Sequence, residues 1–314
     1  MKRVAVIDIG SGSTTLAIFD LNNEGSWDRL DQQGKSLRLM EGLDASGRLV
    51  EGAVRGLLMT VEGYMRLARE DGVEHVEIVA TSAMREAVNG PEIIAELGRI
   101  PGCTARIVSG EEEGRLAAHA VLCTLPLRDG VVLDLGGGSL QLVHVRDRRV
   151  VESLSLPLGA LRLYDAFLLG NDPPTGDALV ALRRHVLAQV GTVSWLRNRG
   201  GILIAAGGSA RSIGKMHRRA AGTSRVPAHG FTIDIEAVTD AYERLSRLPR
   251  LERSAVPGLR EHRADTIVAA SLTLATVLRY GGFDAMYLST YGIREGVAFR
   301  ALFGEATLNI PANS

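Results

Sequence analysis

The sequence predicts an α/β protein that is built from two similar domains. Its 314 residues are more than one domain usually holds and are about right for two. Strand-like and helix-like segments alternate along the chain, which is typical of α/β folds. The third observation is an internal repeat, in which VIDIGSGS at residues 6–13 aligns with VLDLGGGS at residues 132–139. The repeat predicts a domain boundary near Pro126, with domains at residues 1–126 and 127–314.

Local patterns predict the individual elements. Short apolar runs that end in Gly/Ser turns indicate strands, whereas apolar residues at helical spacing indicate helices. Pro91 opens one such helix, as proline often does at a first helical position. The predicted strands are residues 4–9, 15–21, 75–80, 105–108, 131–135, 140–145, 202–206 and 285–289. The predicted helices are residues 54–68, 91–97, 111–122, 176–196, 235–248, 264–279 and 293–302.

Composition excludes several classes of protein. The 36 basic residues equal the 36 acidic ones, and this balance argues against a nucleic-acid or membrane partner, which would require a basic excess. Cys103 and Cys123 lack the spacing of a zinc site and suit a reducing compartment. No signal peptide is expected, and the longest apolar run, residues 267–278, is too short to span a bilayer. We therefore expect a cytoplasmic protein, and we also expect a homodimer.

The two repeated turns carry residue types that bind phosphate and metal. Successive N–H groups in a Gly-rich turn form an anion-binding nest, and serine hydroxyls add donors. The predicted phosphate-binding residues are Ser11, Gly12 and Ser13 in one turn and Gly136, Gly137, Gly138 and Ser139 in the other. Asp8 and Asp134 precede the turns and are candidate ligands of Mg²⁺ or Mn²⁺. Tight turns with no ligand are the alternative.

A third Gly-rich turn, residues 205–210, lies between a predicted strand and a helix. Backbone N–H groups at a helix N-terminus can bind phosphate, so Gly208 and Ser209 are further candidates. Arg211 and Lys215 follow at helical spacing and could form a track for a polyanion. A plain strand-to-helix turn and a solvated helix face remain open alternatives.

Residues 109–115 predict a helix start with three acidic residues. Ser109 and Glu112 have the spacing of a capping box, which explains Glu112 without any catalytic role. Glu113 is left over, and its carboxylate could deprotonate an attacking water. Arg85 follows a buried strand and could contact phosphate oxygens, although a lone arginine at this position is usually a solvated surface group.

Five motifs together resemble the exopolyphosphatase / guanosine pentaphosphate phosphatase family. They are DIGSGS at 8–13, TSAMREA at 81–87, SGEEEGR at 109–115, DLGGGS at 134–139 and STYGIREG at 289–296. The resemblance implies two duplicated actin-like (ribonuclease H-like) domains facing across a cleft, in the short form without further C-terminal domains. It also implies Glu113 as the catalytic base, Asp8 and Asp134 as metal sites, and Arg85 as a phosphate ligand.

One position departs from the family pattern. The family motif Gly-Gly-Gly-Ser-x-Glu ends here in Gln141, which keeps the hydrogen-bonding shape of Glu but loses its charge. We expect Gln141 to hold water or a metal-bound water at the catalytic site, as glutamine does in other phosphoryl-transfer sites.

The resemblance predicts metal-assisted hydrolysis of the terminal phosphoanhydride of inorganic polyphosphate. Guanosine pentaphosphate 5′-phosphatase activity is the nearest alternative, and a sugar or acetate kinase is a weaker one. From a different class of protein, a polyphosphate or nucleotide sensor with weak catalysis also remains open. Release of phosphate from polyphosphate would distinguish the enzyme from the sensor.

Overall fold

The structure, a computed structural model, describes residues 2–21 and 27–303. The strands are β1 (Lys2–Ile9), β2 (Ser13–Leu21), β3 (Trp27–Ser36), β4 (Val76–Ala80), β5 (Cys103–Ile107), β6 (Gly130–Leu135), β7 (Leu140–Arg146), β8 (Arg149–Leu156), β9 (Leu203–Ala206), β10 (Thr232–Asp234) and β11 (Ala285–Leu288). The helices are α1 (Glu51–Glu70), α2 (Ser82–Glu86), α3 (Gly90–Leu97), α4 (Gly110–Thr124), α5 (Ala160–Leu163), α6 (Gly176–Val190), α7 (Gly207–Ala220), α8 (Ile235–Arg247), α9 (Arg250–Ser254), α10 (Ile267–Gly281) and α11 (Ile293–Phe303).

The chain forms two compact units, which correct the predicted domain boundaries. The first unit holds residues up to Ala120 together with α11, and the second holds residues 121–292. The prediction assigned residues 293–302 to the C-terminal domain. Instead, α11 packs on the first sheet, where Val297 and Ala298 join the core formed by Val4 and Val6. The other boundary lies inside α4, six residues before Pro126.

The first unit contains a five-stranded sheet in the order β3-β2-β1-β4-β5. β1 pairs antiparallel with β2 and parallel with β4. Side chains of β1 alternate between two cores, since Ala5 and Ile7 join one core and Val4 and Val6 join the other. This alternation is expected for a strand with both faces covered.

The second unit contains a six-stranded sheet in the order β10-β11-β9-β6-β7-β8. β6 pairs antiparallel with β7 and parallel with β9. Its core is built around α10, in which every residue from Ile267 to Leu278 is buried.

The two sheets confirm the internal repeat. β1, β2, β3, β4 and β5 occupy the same relative positions as β6, β7, β8, β9 and β11, and β10 is an additional edge strand. Asp8 lies opposite Thr15 in the first hairpin, and Asp134 lies opposite Gln141 in the second. The aligned residues of the sequence repeat therefore have equivalent places in the two units.

Most predicted elements are present, and the differences have local causes. The helix predicted for residues 176–196 ends at Val190, where Gly191 follows, and a short 3₁₀ turn covers residues 194–196. β3 and β8 were not predicted, because each is an edge strand with mostly exposed or half-exposed side chains and lacks an apolar alternation. Across the described residues, no helix combines the length and apolarity that crossing a membrane requires.

Candidate functional site

The loop between β6 and β7 has its carbonyl groups turned toward protein donors. The Gly136 N–H donates to the Ser139 carbonyl at 3.0 Å and closes the turn. Donors at the start of α5 then bind the remaining loop carbonyls. These bonds run from Ala160 N to Gly136 O (3.0 Å), from Leu161 N and Arg162 N to Gly137 O (2.9 and 3.1 Å), and from Arg162 Nε to Gly138 O (2.8 Å).

This arrangement leaves the loop N–H groups available for an anion. Among the described residues, the N–H groups of Gly137, Gly138 and Ser139 have no acceptor. Gly159, just before α5, allows the close approach, because a Cβ on it would lie 2.2 Å from the Gly138 carbonyl carbon and 2.3 Å from that of Gly137. The loop is therefore an anion-binding nest held from behind.

The loop between β1 and β2 repeats this design. Gly10 N–H donates to the Ser13 carbonyl at 3.0 Å, as Gly136 does to Ser139. The Gly12 carbonyl accepts the N–H groups of residues 37 and 38 at 3.2 and 3.0 Å, and the Ser11 carbonyl accepts that of residue 40 at 3.2 Å. The Ser11 hydroxyl is buried and has no partner within the described chain. A ligand with an acceptor oxygen would satisfy it.

The functional loops of the first unit lie at the carboxyl ends of its parallel strands. The Thr81 N–H donates to the Ile9 carbonyl at 3.1 Å, and the Val108 N–H donates to the Ala80 carbonyl at 3.0 Å. The ends of β1, β4 and β5 are thereby joined. In open α/β sheets, ligands bind at this edge.

The second unit has the same arrangement at the ends of β6, β9 and β11. The Ser289 N–H donates to the Ala205 carbonyl at 2.9 Å. Asp134 lies close to two glycines, Gly207 at the start of α7 and Gly292 just before α11. A Cβ on Gly207 would lie 2.5 Å from Asp134 Oδ1, and a Cβ on Gly292 would lie 3.6 Å from Asp134 Oδ2. Gly207 also has a φ of +86°, so glycine is required there for two reasons.

The two aspartates have different neighbours. Asp8 forms a long ion pair with Arg294, with 3.7 Å between Oδ2 and Nη1. Asp134 lies beside the backbone of Gly207 and Gly292. Within the described residues, no group of three His, Cys, Asp or Glu side chains could hold a metal.

Gln141 lies in a row of polar side chains across three strands. It is directly opposite Asp134 on β6 and Ser155 on β8. Its Nε2 donates to the Ser139 hydroxyl at 2.8 Å and to the Ser155 hydroxyl at 3.1 Å, and the side chain is only 1% exposed. Both amide N–H groups contact serines, because the side chain points into this row, and the prediction that Gln141 holds a water or metal-bound water stays a prediction. Sequence reasoning missed Ser155, since its partner is on another strand.

The start of α7 carries a cation that sequence reasoning also missed. β9 runs directly into α7, as the third Gly-rich turn predicted, and Ser209 is buried. The guanidinium of Arg263 lies against Gly208 and occupies the space that a Cβ at that position would need. Burial lowers the pKa of Arg263 to about 10, with a smaller contribution from Arg260 in the same direction. Arg263 remains a cation at neutral pH and lies beside a helix N-terminus, where an anion is stabilised.

Arg85 and Glu113 lie together in the first unit. Arg85, on α2, donates through Nη1 to Glu113 Oε2 at 2.9 Å and to the Val108 carbonyl at 2.9 Å. Glu113 is in the first turn of α4 and is 9% exposed. Arg85 was predicted as a phosphate ligand, and the structure adds a contact that the sequence did not indicate.

The neighbouring acidic residues have structural partners. The Ser109 hydroxyl accepts the Glu112 N–H at 3.1 Å, which is the backbone half of the predicted capping box. Glu112 also pairs with Arg106 and Arg300, at 2.5 and 3.3 Å. Hydrogen bonds from its own N–H and then from Ser109 lower the pKa of Glu111. These contacts leave Glu113 as the acidic residue of the helix start that pairs with Arg85.

The basic segment of α7 divides into two parts. Arg211 is half-buried and donates to the Thr290 carbonyl at 3.4 Å, and Lys215, one turn later, is exposed. Arg218 has a structural role, because it donates to the Ser224 carbonyl at 2.7 Å. Arg211 and Lys215 stay the candidates for the predicted polyanion track.

Comparison with known proteins identifies relatives along nearly the whole chain. The model of the Ppx/GppA phosphatase family matches residues 21–304. Exopolyphosphatase 1 of Mycobacterium tuberculosis is 28% identical over 309 residues, which cover 97% of this chain and 89% of that protein.

Solved structures support the fold. The Ppx/GppA family member of Aquifex aeolicus is 27% identical, with a TM-score of 0.84 over 97% of this chain and 99% of that one. An exopolyphosphatase from Cytophaga hutchinsonii is 24% identical, with a TM-score of 0.87 and complete coverage of both chains. The predicted α/β fold with two actin-like domains is confirmed by these likenesses and by the two matched sheets.

Proposed function

The chain belongs to the Ppx/GppA phosphatase family, and from this premise we propose that it is an exopolyphosphatase that releases orthophosphate from the end of inorganic polyphosphate. The observation that carries this proposal is the nest at residues 136–139, whose carbonyls are bound from behind while the N–H groups of Gly137, Gly138 and Ser139 have no acceptor in the described part of the chain. Such a loop binds a compact anion and suits a terminal phosphoryl group. The relative named exopolyphosphatase 1 supports this substrate class.

Binding of the terminal phosphate would use three features of the second unit. The N–H groups of Gly137 and Gly138 and the Ser139 hydroxyl would donate to its oxygens. Arg263, beside Gly208, would add positive charge at the start of α7. Fixed donors of this kind also stabilise the charge that the transferred phosphoryl group carries in the transition state.

Glu113 would accept the proton of the attacking water. It is a largely buried carboxylate held in one orientation by Arg85, which is a suitable arrangement for a general base. Arg85 has further N–H donors besides the one bound to Glu113, and these could bind phosphate as the sequence predicted. In this proposal, Arg85 both orients the base and contacts the substrate.

The donor set fits Mg²⁺, or Mn²⁺, held mainly by the substrate. Mg²⁺ commonly binds through one or two carboxylates together with water and substrate phosphates, and hard oxygen ligands suit it. Asp134 and Asp8 would supply these carboxylates. The ion would neutralise charge on the phosphates when bound. Arg294 beside Asp8 competes with a cation at that carboxylate.

Arg211 and Lys215 would contact phosphates further along the polymer. They are one helical turn apart on α7, and Lys215 is exposed. The predicted homodimer and cytoplasmic location remain predictions.

Phosphate release tests the proposal directly. Purified protein is incubated with polyphosphate, guanosine pentaphosphate or ATP, with and without Mg²⁺, and orthophosphate is measured over time. We expect release from polyphosphate that requires the metal and is slower by about 10²–10⁴ in a Glu113→Gln preparation made in parallel. Faster release from guanosine pentaphosphate would favour the second activity. Binding of polyphosphate without release would identify a sensor and contradict the proposal.

A further inference from the structure

Ser139 and Gln141 form a hydrogen bond whose direction is fixed by chemistry. An amide nitrogen has two N–H donors and accepts no hydrogen bond. Because Gln141 Nε2 lies 2.8 Å from the Ser139 oxygen, the serine must be the acceptor in this contact. Ser155 accepts the second N–H at 3.1 Å in the same way.

The proton of Ser139 is consequently left for another acceptor. A serine hydroxyl has one proton, and its oxygen is already in use as an acceptor toward Gln141. Within the described residues, no protein group accepts that proton, and Ser139 is 5% exposed. Ser139 is also the last residue of the nest, whose N–H groups lack acceptors too.

We infer that Gln141 is a positioning residue that makes the Ser139 hydroxyl a donor toward the bound phosphate. The inference deepens the proposed function and rests on its assignment of residues 136–139 as the phosphate site. Gln141 does not need to touch the substrate in this role.

A carboxylate at position 141 would reverse this polarity. An ionised carboxylate only accepts hydrogen bonds, so the Ser139 hydroxyl would donate to it. The serine lone pairs would then face the phosphate. It would also place a second negative charge directly opposite Asp134 on the neighbouring strand. Both effects would weaken phosphate binding.

The experiment compares Gln141→Glu and Gln141→Met, each alone and combined with Ser139→Ala. Binding of inorganic phosphate and of tripolyphosphate is measured by calorimetry, and KM and kcat are measured for tripolyphosphate at several pH values. Ser155→Ala is the matched control, because it removes the other hydroxyl bonded to the same amide. Thermal unfolding verifies that each variant is folded.

We expect Gln141→Glu to weaken phosphate binding about tenfold or more, in line with the loss of a hydrogen bond to a charged group. The loss should grow as pH rises and the new carboxyl ionises. Gln141→Met, which adds no charge, should lose less and show no such pH dependence. In the Ser139→Ala background, Gln141→Met should cause no further loss, and Ser155→Ala should matter less than Ser139→Ala.

Two results would overturn the inference. One is a loss in Gln141→Met that is equally large with and without Ser139, which would mean that Gln141 acts on the ligand or metal directly. The other is tighter phosphate binding in Gln141→Glu at high pH. Because calorimetry reads phosphate binding without turnover, it tests the inference even if the protein fails to hydrolyse polyphosphate.

Discussion

Gly159→Ala tests whether the nest at residues 136–139 depends on support from behind. A Cβ at this position would lie 2.2 Å from the Gly138 carbonyl carbon and 2.3 Å from that of Gly137, whereas ordinary contact begins at 3.4 Å. The opposing atoms are backbone, so a side-chain rotation cannot relieve the overlap. The loop or the start of α5 must therefore move by about 1 Å, and a displacement of that size in an active site can cost about 10²-fold in rate.

The fold should survive the same substitution. Overpacking of this kind destabilises by about 1–3 kcal/mol, which is less than the 5–15 kcal/mol that is typical of a domain. The assay is phosphate release from tripolyphosphate, with thermal unfolding measured in parallel. Gly176→Ala is the matched control in the same unit, since nothing lies within 4 Å of a Cβ there. A folded Gly159→Ala protein with an unchanged rate would refute the argument that the carbonyl-bound loop is the phosphate site.

Three further predictions concern the remaining candidate residues. Glu113→Gln should lower kcat by about 10²–10⁴, the usual contribution of a general base, whereas Glu112→Gln should affect mainly stability; the opposite result in kcat measurements would move the base by one residue. Replacing Arg211 and Lys215 by Glu should weaken binding of long polyphosphate more than of tripolyphosphate, and less so at high salt; equal losses in a binding titration would place both residues in the local site. Arg263→Lys should raise KM for tripolyphosphate with the fold intact, because lysine cannot reproduce the planar guanidinium packed on Gly208; an unchanged KM would remove Arg263 from the site.

The sequence predicted the parts of the fold that repeat. The aligned hairpins at Asp8 and Asp134 have matching places in two matching sheets, because both copies need the same apolar strands and the same Gly/Ser turn. β3 and β8 escaped prediction, since an edge strand with exposed side chains has no apolar period to detect. The position of α11 escaped it too, because sequence order does not reveal which sheet a terminal helix covers.

Site residues were predictable when they belonged to a local motif. Glu113 stood out because its two acidic neighbours could be explained by capping and by the helix dipole. Gly159 and Arg263 contact the Gly-rich loops, and Ser155 contacts Gln141, from distant parts of the chain, so no local pattern marks them. The contact between Arg85 and Glu113 could not be predicted for the same reason, because it joins α2 to α4 across 28 positions of the sequence.

The duplicated loops are alike in backbone and differ in the side chains around them. In the first unit, Asp8 lies beside Arg294, and Thr15 and Gly34 complete the row across the strands. In the second unit, the corresponding row is Asp134, Gln141 and Ser155. The Gln141 amide in this row donates a hydrogen bond to the hydroxyl of Ser139 in the loop.

Duplication therefore supplied two nests, and the strand residues next to them determine what each one can bind. A carboxylate that pairs with arginine is a weaker cation ligand, since the guanidinium offsets its charge. Asp134 has the backbone of Gly207 and Gly292 beside its two oxygens. The contact between Gln141 and Ser139 therefore distinguishes the loop of the second unit, to which the proposal assigns the reacting phosphate.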